Sequence, residues 1–273
     1  MKLEELLTEM IEKIESTDEK WIQPFNNSFP MNYKTKTHYN GFNVLNLWFI
    51  AEKYEYKTNN FLTYNQVKEL GGFVNQGEKA HDVFYFQNLE IKDEEKDELK
   101  KIPMLKTYKV FNIAQTSLKI EEVEKVEILD IEEFIKRTNI AIKHSNNGAF
   151  YVPSKDFIGI PSRDSFISSE HYYAVLFHEM SHATGHKNRL DRDMSGTFGD
   201  DSYAKEELIA ETARLFLQTY FQISSEEMKL QNAAYLKGWL KKENPRVLWK
   251  IFSEAQKAYD FLISFNRESK VAL

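Results

Sequence analysis

The residues with the clearest chemical potential lie in LFHEMSHATGHKNRL, residues 176–190, where His178, Glu179 and His182 stand in the order H-E-x-x-H. On an α-helix, residues four apart differ by about 40° in azimuth, so His178 and His182 share one face. Two imidazoles on one face can hold a single divalent ion. Glu179 is turned about 100° from His178, too far round to be a matching ligand but within reach of a water at such an ion. A carboxylate placed there can take a proton from water, which is what metal-assisted hydrolysis needs. The pentapeptide also arises by chance, so this reading requires a third ligand. The chain has no Cys, which leaves His and carboxylates as donors and excludes disulfides.

The elements that must position these residues follow from patterning. GAFYVPSKDFIGIP reads as a strand, a turn and a second strand, and helices are expected at about 169–187, 203–223, 226–242 and 246–268, the last with Asn244 as cap and Pro245 at its first position. The first half opens with a helix at about 2–16 and a loop-like stretch from Trp21. A helix follows, with Val44, Leu47, Trp48 and Ala51 at helical spacing. TYNQVKELGG is a short helix capped by Thr63, and HDVFYFQ and TYKVFNI are strands. The charged run KDEEKDELKK between them reads as a solvated loop or frayed helix. The segment IEEVEKVEILDIEEFIKRTNIAIKH is acidic and partly helix-prone, and the domain boundary is placed at about 118–128. The expected class is α+β: a small N-terminal α+β domain, residues 1–120, then a mostly helical domain, residues 121–273, with a short edge-strand sheet.

With 20 Phe, 14 Tyr and 42% hydrophobic residues the composition is globular. No apolar run reaches the roughly 18 residues of a membrane span. MKLEELLTEMIEKIEST carries acids every few residues and no apolar core, so it reads as a helix rather than a signal peptide, and the lack of Cys fits a cytoplasmic protein. A net charge of −6 argues against a broadly basic nucleic-acid surface.

Two sources for the third ligand can be compared. In the long form H-E-x-x-H-x-x-G-x-x-H, Gly185 fits, but Asn188 stands where the last His belongs and His186 comes two places early, so that form is rejected. Downstream, SYAKEELIAETARLFL carries Glu206, Glu207 and Glu211, of which Glu207 and Glu211 share a helix side. This arrangement resembles the glutamate zincins of the thermolysin type. There a second helix supplies a Glu ligand, and an acid four residues later bonds the far nitrogen of a ligand His. The resemblance implies zinc, or another divalent transition metal, held by His178, His182 and Glu207, with Glu179 as general base and Glu211 orienting a ligand imidazole. It also implies that AFYVPSKDFIGIP supplies an edge strand for an extended substrate. Glu206 is expected to face solvent, and Tyr203 or His186 is a candidate neutral donor to the transition state.

Across most of its length the chain resembles the ArdC-type antirestriction family, whose two domains also occur in plasmid-encoded primases. The resemblance rests on YYAVLFHEMSHATGHKNRLDRD and FGDDSYAKEELIAE in the second half, and on WIQPF, YNGFNVLNL, LTYNQVKELGGFVNQGEKAHDVFYF and YKVFNIAQT in the first. Departures are Ala183 where the family often has an aromatic, Ala114 where an acid is common, and the charged run at 91–101, which looks like an insertion. The family implies an N-terminal single-stranded-DNA-binding domain, a C-terminal metallopeptidase-like domain and a mobile-element setting.

The DNA-contact residues expected from the chain itself are Lys34, Lys36 and Tyr39 in NYKTKTHYNGFN, joined by Lys79 on the turn after Gly77; these combine cations with a stacking ring. Trp21 and Trp48 are assigned to the core, and His81, His144 and His171 to the surface or to satisfied polar positions. Arg189 and Arg192 either bind substrate or DNA or pair with Asp191 and Asp193, and the sequence does not choose between these. Two functions follow. One is a peptidase tethered to a single-strand-binding domain, with a host restriction-system protein as its substrate. The alternative is a non-catalytic single-stranded-DNA-binding protection protein with a structural metal. A primase accessory fragment is a weaker reading, because no polymerase motif is visible.

Overall fold

The structure is a computed structural model that describes residues 28–93, 98–119, 130–196, 200–223 and 245–267, without the side chains of 86–105, 245, 246 and 267. The helices expected at 2–16 and 226–242, Trp21 and the junction at 120/121 lie outside the described residues. The chain forms two compact units, the first made of Pro30–Tyr39 and Asn43–Glu122, the second including Asn40–Phe42 and Val123–Leu273.

In the first unit, β1 (Met31–Asn32), β2 (Thr37–His38), β3 (Asn60–Leu62), β4 (His81–Asp93) and β5 (Glu98–Asn112) form a sheet in the order β2-β1-β3-β5-β4. The aromatic and β-branched stretches expected as strands pair antiparallel, with Val83 opposite Tyr108. The ladder runs on to Asp93 opposite Glu98, so the charged run is largely strand rather than loop or frayed helix. A two-stranded ribbon satisfies its backbone groups whatever side chains it carries, which is why charge density misled the sequence reading.

Helix α1 (Phe42–Lys53) is apolar nearly all round, and Val44, Leu47, Trp48 and Ala51 are buried, the mark of an interior helix. Its polar residues close the edge of the sheet. The Asn43 side chain donates to the Phe84 carbonyl at 2.7 Å and accepts from the Phe84 N–H at 2.9 Å, and Asn46 donates to the Asp82 carbonyl at 2.8 Å. An exposed edge would otherwise invite a foreign strand. Helix α2 (Tyr64–Glu69) starts at Thr63 with a reciprocal capping box to Gln66.

Tyr39 requires a correction. It is 8% exposed and packs with Leu47, Ile50, Phe61, Val83 and Val110, its ring edge-on to Phe61 at 6.3 Å. Burying a ring of that size outweighs leaving it in water, so it offers no stacking face.

In the second unit, β6 (Ala141–His144), β7 (Phe150–Val152) and β8 (Phe157–Ile160) form a sheet in the order β6-β8-β7, with β7 at an edge. β7 and β8 are the expected strand–turn–strand. Gly159 sits opposite Phe150, and a Cβ there would lie 2.5 Å from that ring, so the glycine makes room for the aromatic. β6 was not anticipated: its four residues are mostly exposed and too few to show a period, and it forms by parallel pairing to the largely buried β8.

The described α-helices of this unit are α3 (Ile131–Arg137), α4 (Ser169–Ala183), α5 (Asp201–Tyr220) and α6 (Pro245–Arg267). The expected α+β class, with a mostly helical second part, holds. α4 ends four residues before 187 because Gly185 and His186 bond back three residues, to His182 and Ala183, and turn the chain. α4 and α5 pack together. Phe177, Met180 and Ala183 on the first and Leu208, Ala213 and Phe216 on the second are fully buried.

His81 is buried in the first unit, with Nε2 3.0 Å from the Tyr56 hydroxyl oxygen, and burial lowers its pKa to about 4. A pKa below the unfolded value of about 6.5 contributes stability above that value, lost as pH falls through the folded one. Thermal melts of the parent between about pH 6.5 and 4 are expected to drop more steeply than those of His81→Gln. Parallel curves would refute a neutral buried His81.

Candidate metal centre

At one end of the largely apolar α4–α5 interface, His178, Glu179 and His182 of α4 meet Glu206, Glu207 and Glu211 of α5. His178 and His182 lie one turn apart on α4, as their spacing requires, with ring centroids 4.7 Å apart and planes at 84°. Their Nε2 atoms are 3.1 Å apart. Glu207 on α5 faces both, at 3.5 Å from His178 Nε2 and 3.4 Å from His182 Nε2. One donor atom from each of these three residues falls within 4.8 Å of the other two.

The outer nitrogens are held as well. His178 Nδ1 lies 3.1 Å from Glu211 Oε2, and His182 Nδ1 lies 3.1 Å from Glu206 Oε1. With its proton on Nδ1, each ring donates to a carboxylate and turns a lone pair from Nε2 inward. Two nitrogens and a carboxylate converging in this way, with no thiolate, suit a divalent transition ion.

Electrostatics bind the group together. Burial works to lower His178, but Glu207 and Glu211 outweigh it and lift its pKa to about 9. His182 is raised against burial by Glu206 and Glu207. The carboxyls of Glu207 and Glu211 resist burial and stay well below the usual range, the first through both histidines, the second through Arg214 and His178. Glu179 differs: burial pushes its carboxyl up, against the pull of the histidines.

Glu179 lines a cavity of about 430 Å³, with Phe150 and Tyr151 of the edge strand, Met194 and Tyr203 among the other walls. The Tyr151 backbone N–H favours the charged form of Glu179, and burial and Glu207 raise the pKa of the Tyr203 hydroxyl. His186 is turned elsewhere, with Nδ1 3.6 Å from Asp156, and does not line the cavity.

One expectation is corrected, and one open choice is narrowed. Glu206 is buried, because it serves His182 and accepts from Arg192 Nε at 2.9 Å and Nη2 at 2.7 Å. Arg192 and Arg189 pair with neither Asp191 nor Asp193. Arg189 grips Asp156 on the β7–β8 turn, and Arg192 grips Glu206. The available signal was stereochemical: two ligand histidines have two outer nitrogens, and Glu211 could satisfy only one.

The expected DNA-contact cations are on the first unit's surface. Lys34 pairs with Glu69, Lys36 lies 4.0 Å over the ring of buried Tyr33, and Lys79 is exposed. Exposed rings occur instead at Tyr54, Tyr64, Phe73, Tyr85 and Tyr108.

Comparison with known proteins bears on the whole chain. Residues 129–255 match a zincin-like metallopeptidase domain, and residues 2–111 match the N-terminal domain of anti-restriction factor ArdC. The metal-free crystal structure of antirestriction ArdC from plasmid R388 matches at TM-score 0.79 and 36% identity, covering 97% of this chain and 98% of that one. The chain belongs to the ArdC antirestriction family. The Mn(II)-bound structure of R388 ArdC matches this ArdC-family chain at TM-score 0.77 and 33% identity, covering 96% and 97% of the two chains. The uncharacterized protein y4eC of Sinorhizobium fredii is 30% identical over 280 residues, 95% of this chain and 90% of that protein. Two DNA primases TraC of Escherichia coli are 30% and 29% identical over 95% and 97% of this chain, which spans only 20% and 27% of their lengths. Among the described residues of this ArdC-family chain, no helix is long and apolar enough to cross a membrane.

The raised pKa of His178 has a measurable consequence. Such a group stabilises the fold fully below its unfolded value, about 6.5, and that contribution is lost as pH rises through the folded value, about 9. Metal-free protein is expected to lose melting temperature across this window, and His178→Asn to flatten the loss. The same slope in both proteins would count against the cluster.

Proposed function

We propose that this chain is a metal-dependent peptidase, residues 121–273, joined to a single-stranded-DNA-binding domain, residues 1–120. One observation carries the peptidase reading: a buried carboxylate, Glu179, beside two histidines whose Nε2 atoms converge with Glu207 in an open cavity. His178, His182 and Glu207 would hold the ion. Zinc is the first candidate for this donor set, and manganese the alternative, because R388 ArdC has an Mn(II)-bound form. When bound, such an ion polarises a peptide carbonyl and makes water nucleophilic near neutral pH.

The chain's own groups supply the rest. Glu179 accepts the proton of the attacking water and passes it to the leaving amine, and its raised pKa suits both transfers. The edge strand β7 holds the substrate backbone extended along the cavity. Tyr203, on the cavity wall, is the neutral donor for the developing oxyanion. A protein of the host restriction system is the proposed substrate, held near the site when both sit on one strand of DNA.

Glu179→Gln is expected to leave divalent-metal content unchanged and to abolish cleavage of an unstructured protein substrate, whereas His182→Ala loses the metal. Antirestriction that survives Glu179→Gln would instead favour DNA protection without catalysis.

For DNA, the exposed rings replace Tyr39 as stacking faces. Tyr85 is 41% exposed and its ring lies 5.9 Å from that of Tyr108 on the neighbouring strand. Lys34, Lys36 and Lys79 remain the proposed phosphate contacts. In fluorescence anisotropy, Tyr85→Ala is expected to weaken single-strand binding by about 1–3 kcal/mol at an unchanged melting temperature, and Tyr39→Ala to lower the melting temperature. Equal, weak binding of single- and double-stranded oligonucleotides by the parent would sink this half of the proposal.

A further inference from the structure

Arg192 lies beyond α4 in the run LDRD, yet its side chain is only 6% exposed. Its guanidinium makes four hydrogen bonds. Nε and Nη2 form a two-pronged grip on Glu206, at 2.9 and 2.7 Å. Nη1 donates to the Thr184 hydroxyl at 2.7 Å, and Nη2 also donates to the Ser181 carbonyl at 2.9 Å. Ser181 adjoins His182 in the last turn of α4, where carbonyls lack helical partners. One side chain therefore fixes both the helix end that carries His182 and the carboxylate that receives its Nδ1 proton.

The arrangement occurs twice. Glu211, behind His178, is gripped by the fork of Arg214, through Nε at 2.9 Å to Oε2 and through Nη2 to Oε1. The two arginines come from different places, one three residues along α5 and the other from the segment after α4. Convergence on the same His–Glu–Arg chain points to a shared task rather than to incidental packing. A planar fork sets the plane of a carboxylate, which an ammonium cannot do. Glu206 also separates two spaces: it lines the cavity at the histidines and, with Arg192, a second cavity of about 1000 Å³ bounded by Ile209 and Ile251.

We infer that Arg192 is a positioning residue for the metal centre: it holds Glu206 in the orientation that keeps the His182 proton on Nδ1 and presents Nε2 to the ion. The inference rests on reading the site as a metal centre, but its effect on the imidazole precedes any ion. Without the fork, Glu206 is free to swing toward the second cavity, and His182 loses the acceptor that selects its tautomer.

The test uses the full chain, with Arg192→Gln and Arg192→Lys beside the parent and His182→Ala. Ring ¹⁵N shifts of His182 in metal-free protein at alkaline pH, where the ring is neutral, report the tautomer. Titration with Zn²⁺ reports affinity. The parent is expected to show one tautomer, protonated at Nδ1. Arg192→Gln is expected to show a mixture, with His178 unchanged, and a dissociation constant for Zn²⁺ raised about 10–100-fold. Arg192→Lys keeps the charge without the fork and is expected to recover the fold but not the single tautomer; it also serves if the Gln variant does not fold. An unchanged His182 tautomer and Zn²⁺ affinity in both variants, even at a lower melting temperature, would overturn the inference and leave Arg192 a tie between segments. Failure of the parent to bind Zn²⁺ any better than His182→Ala would instead overturn the metal reading, and the tautomer comparison would still decide the part played by Arg192.

Discussion

Two imidazoles one helical turn apart can serve a single ion only if each turns an unprotonated nitrogen inward. That demand organises the second unit. Each outer nitrogen needs an acceptor within about 3 Å, and here both acceptors are carboxylates, Glu211 and Glu206. Placing carboxylates between packed helices is costly unless each is paired and fully hydrogen-bonded. Hence Glu206 and Glu211 each meet an arginine, at 11% exposure or less for both guanidinium side chains. Three acids of α5 are committed to two histidines of α4, and the apolar remainder of the interface holds the helices at the separation these bonds require.

The chain between the helices is shaped by the same demand. After Ala183 it turns back so that Arg192 can reach Glu206 while Arg189 reaches Asp156. Gly185 sits at a closely packed point of the fold-back. A Cβ there would stand 2.8 Å from Met194 Sδ and 3.1 Å from Arg192 Nη2. Asp156 also accepts from the Tyr151 hydroxyl at 2.8 Å, so the edge strand at the cavity mouth is tied to the segment that secures His182. The runs Thr184-Gly185-His186 and Arg189-Leu190-Asp191-Arg192 thus have a physical content. They connect the wall of the cavity to its floor.

Much of this could be read from residue order. Periodicity located α1, α4, α5 and α6, and the H-E-x-x-H spacing located the converging histidines. The pairing of Glu207 with Glu211 came from a resemblance to other zincins, and the structure brings both to His178. Glu206 was misread because an acid beside two others on a charged helix usually faces water. Its burial depends on an arginine fourteen positions earlier, a pairing no local pattern announces. Tyr39 was misread for the opposite reason. Lysines and asparagines around a tyrosine describe the surface of a loop, not the direction of one ring. β6 escaped because parallel pairing is decided by the neighbour rather than by the strand.

The residues proposed as ligands, the acids behind them and both arginines all come from one run of chain, His178 to Arg214. The entropy lost on closing a loop grows with the length closed, so a centre drawn from successive helices asks little of distant sequence. Such a run is portable: a gene fragment that carries it carries its counter-charges too. In the TraC primases a region similar to this chain occupies only 20% and 27% of the protein, and a self-contained cassette of charge is the kind of element that can be spliced into so much longer a chain.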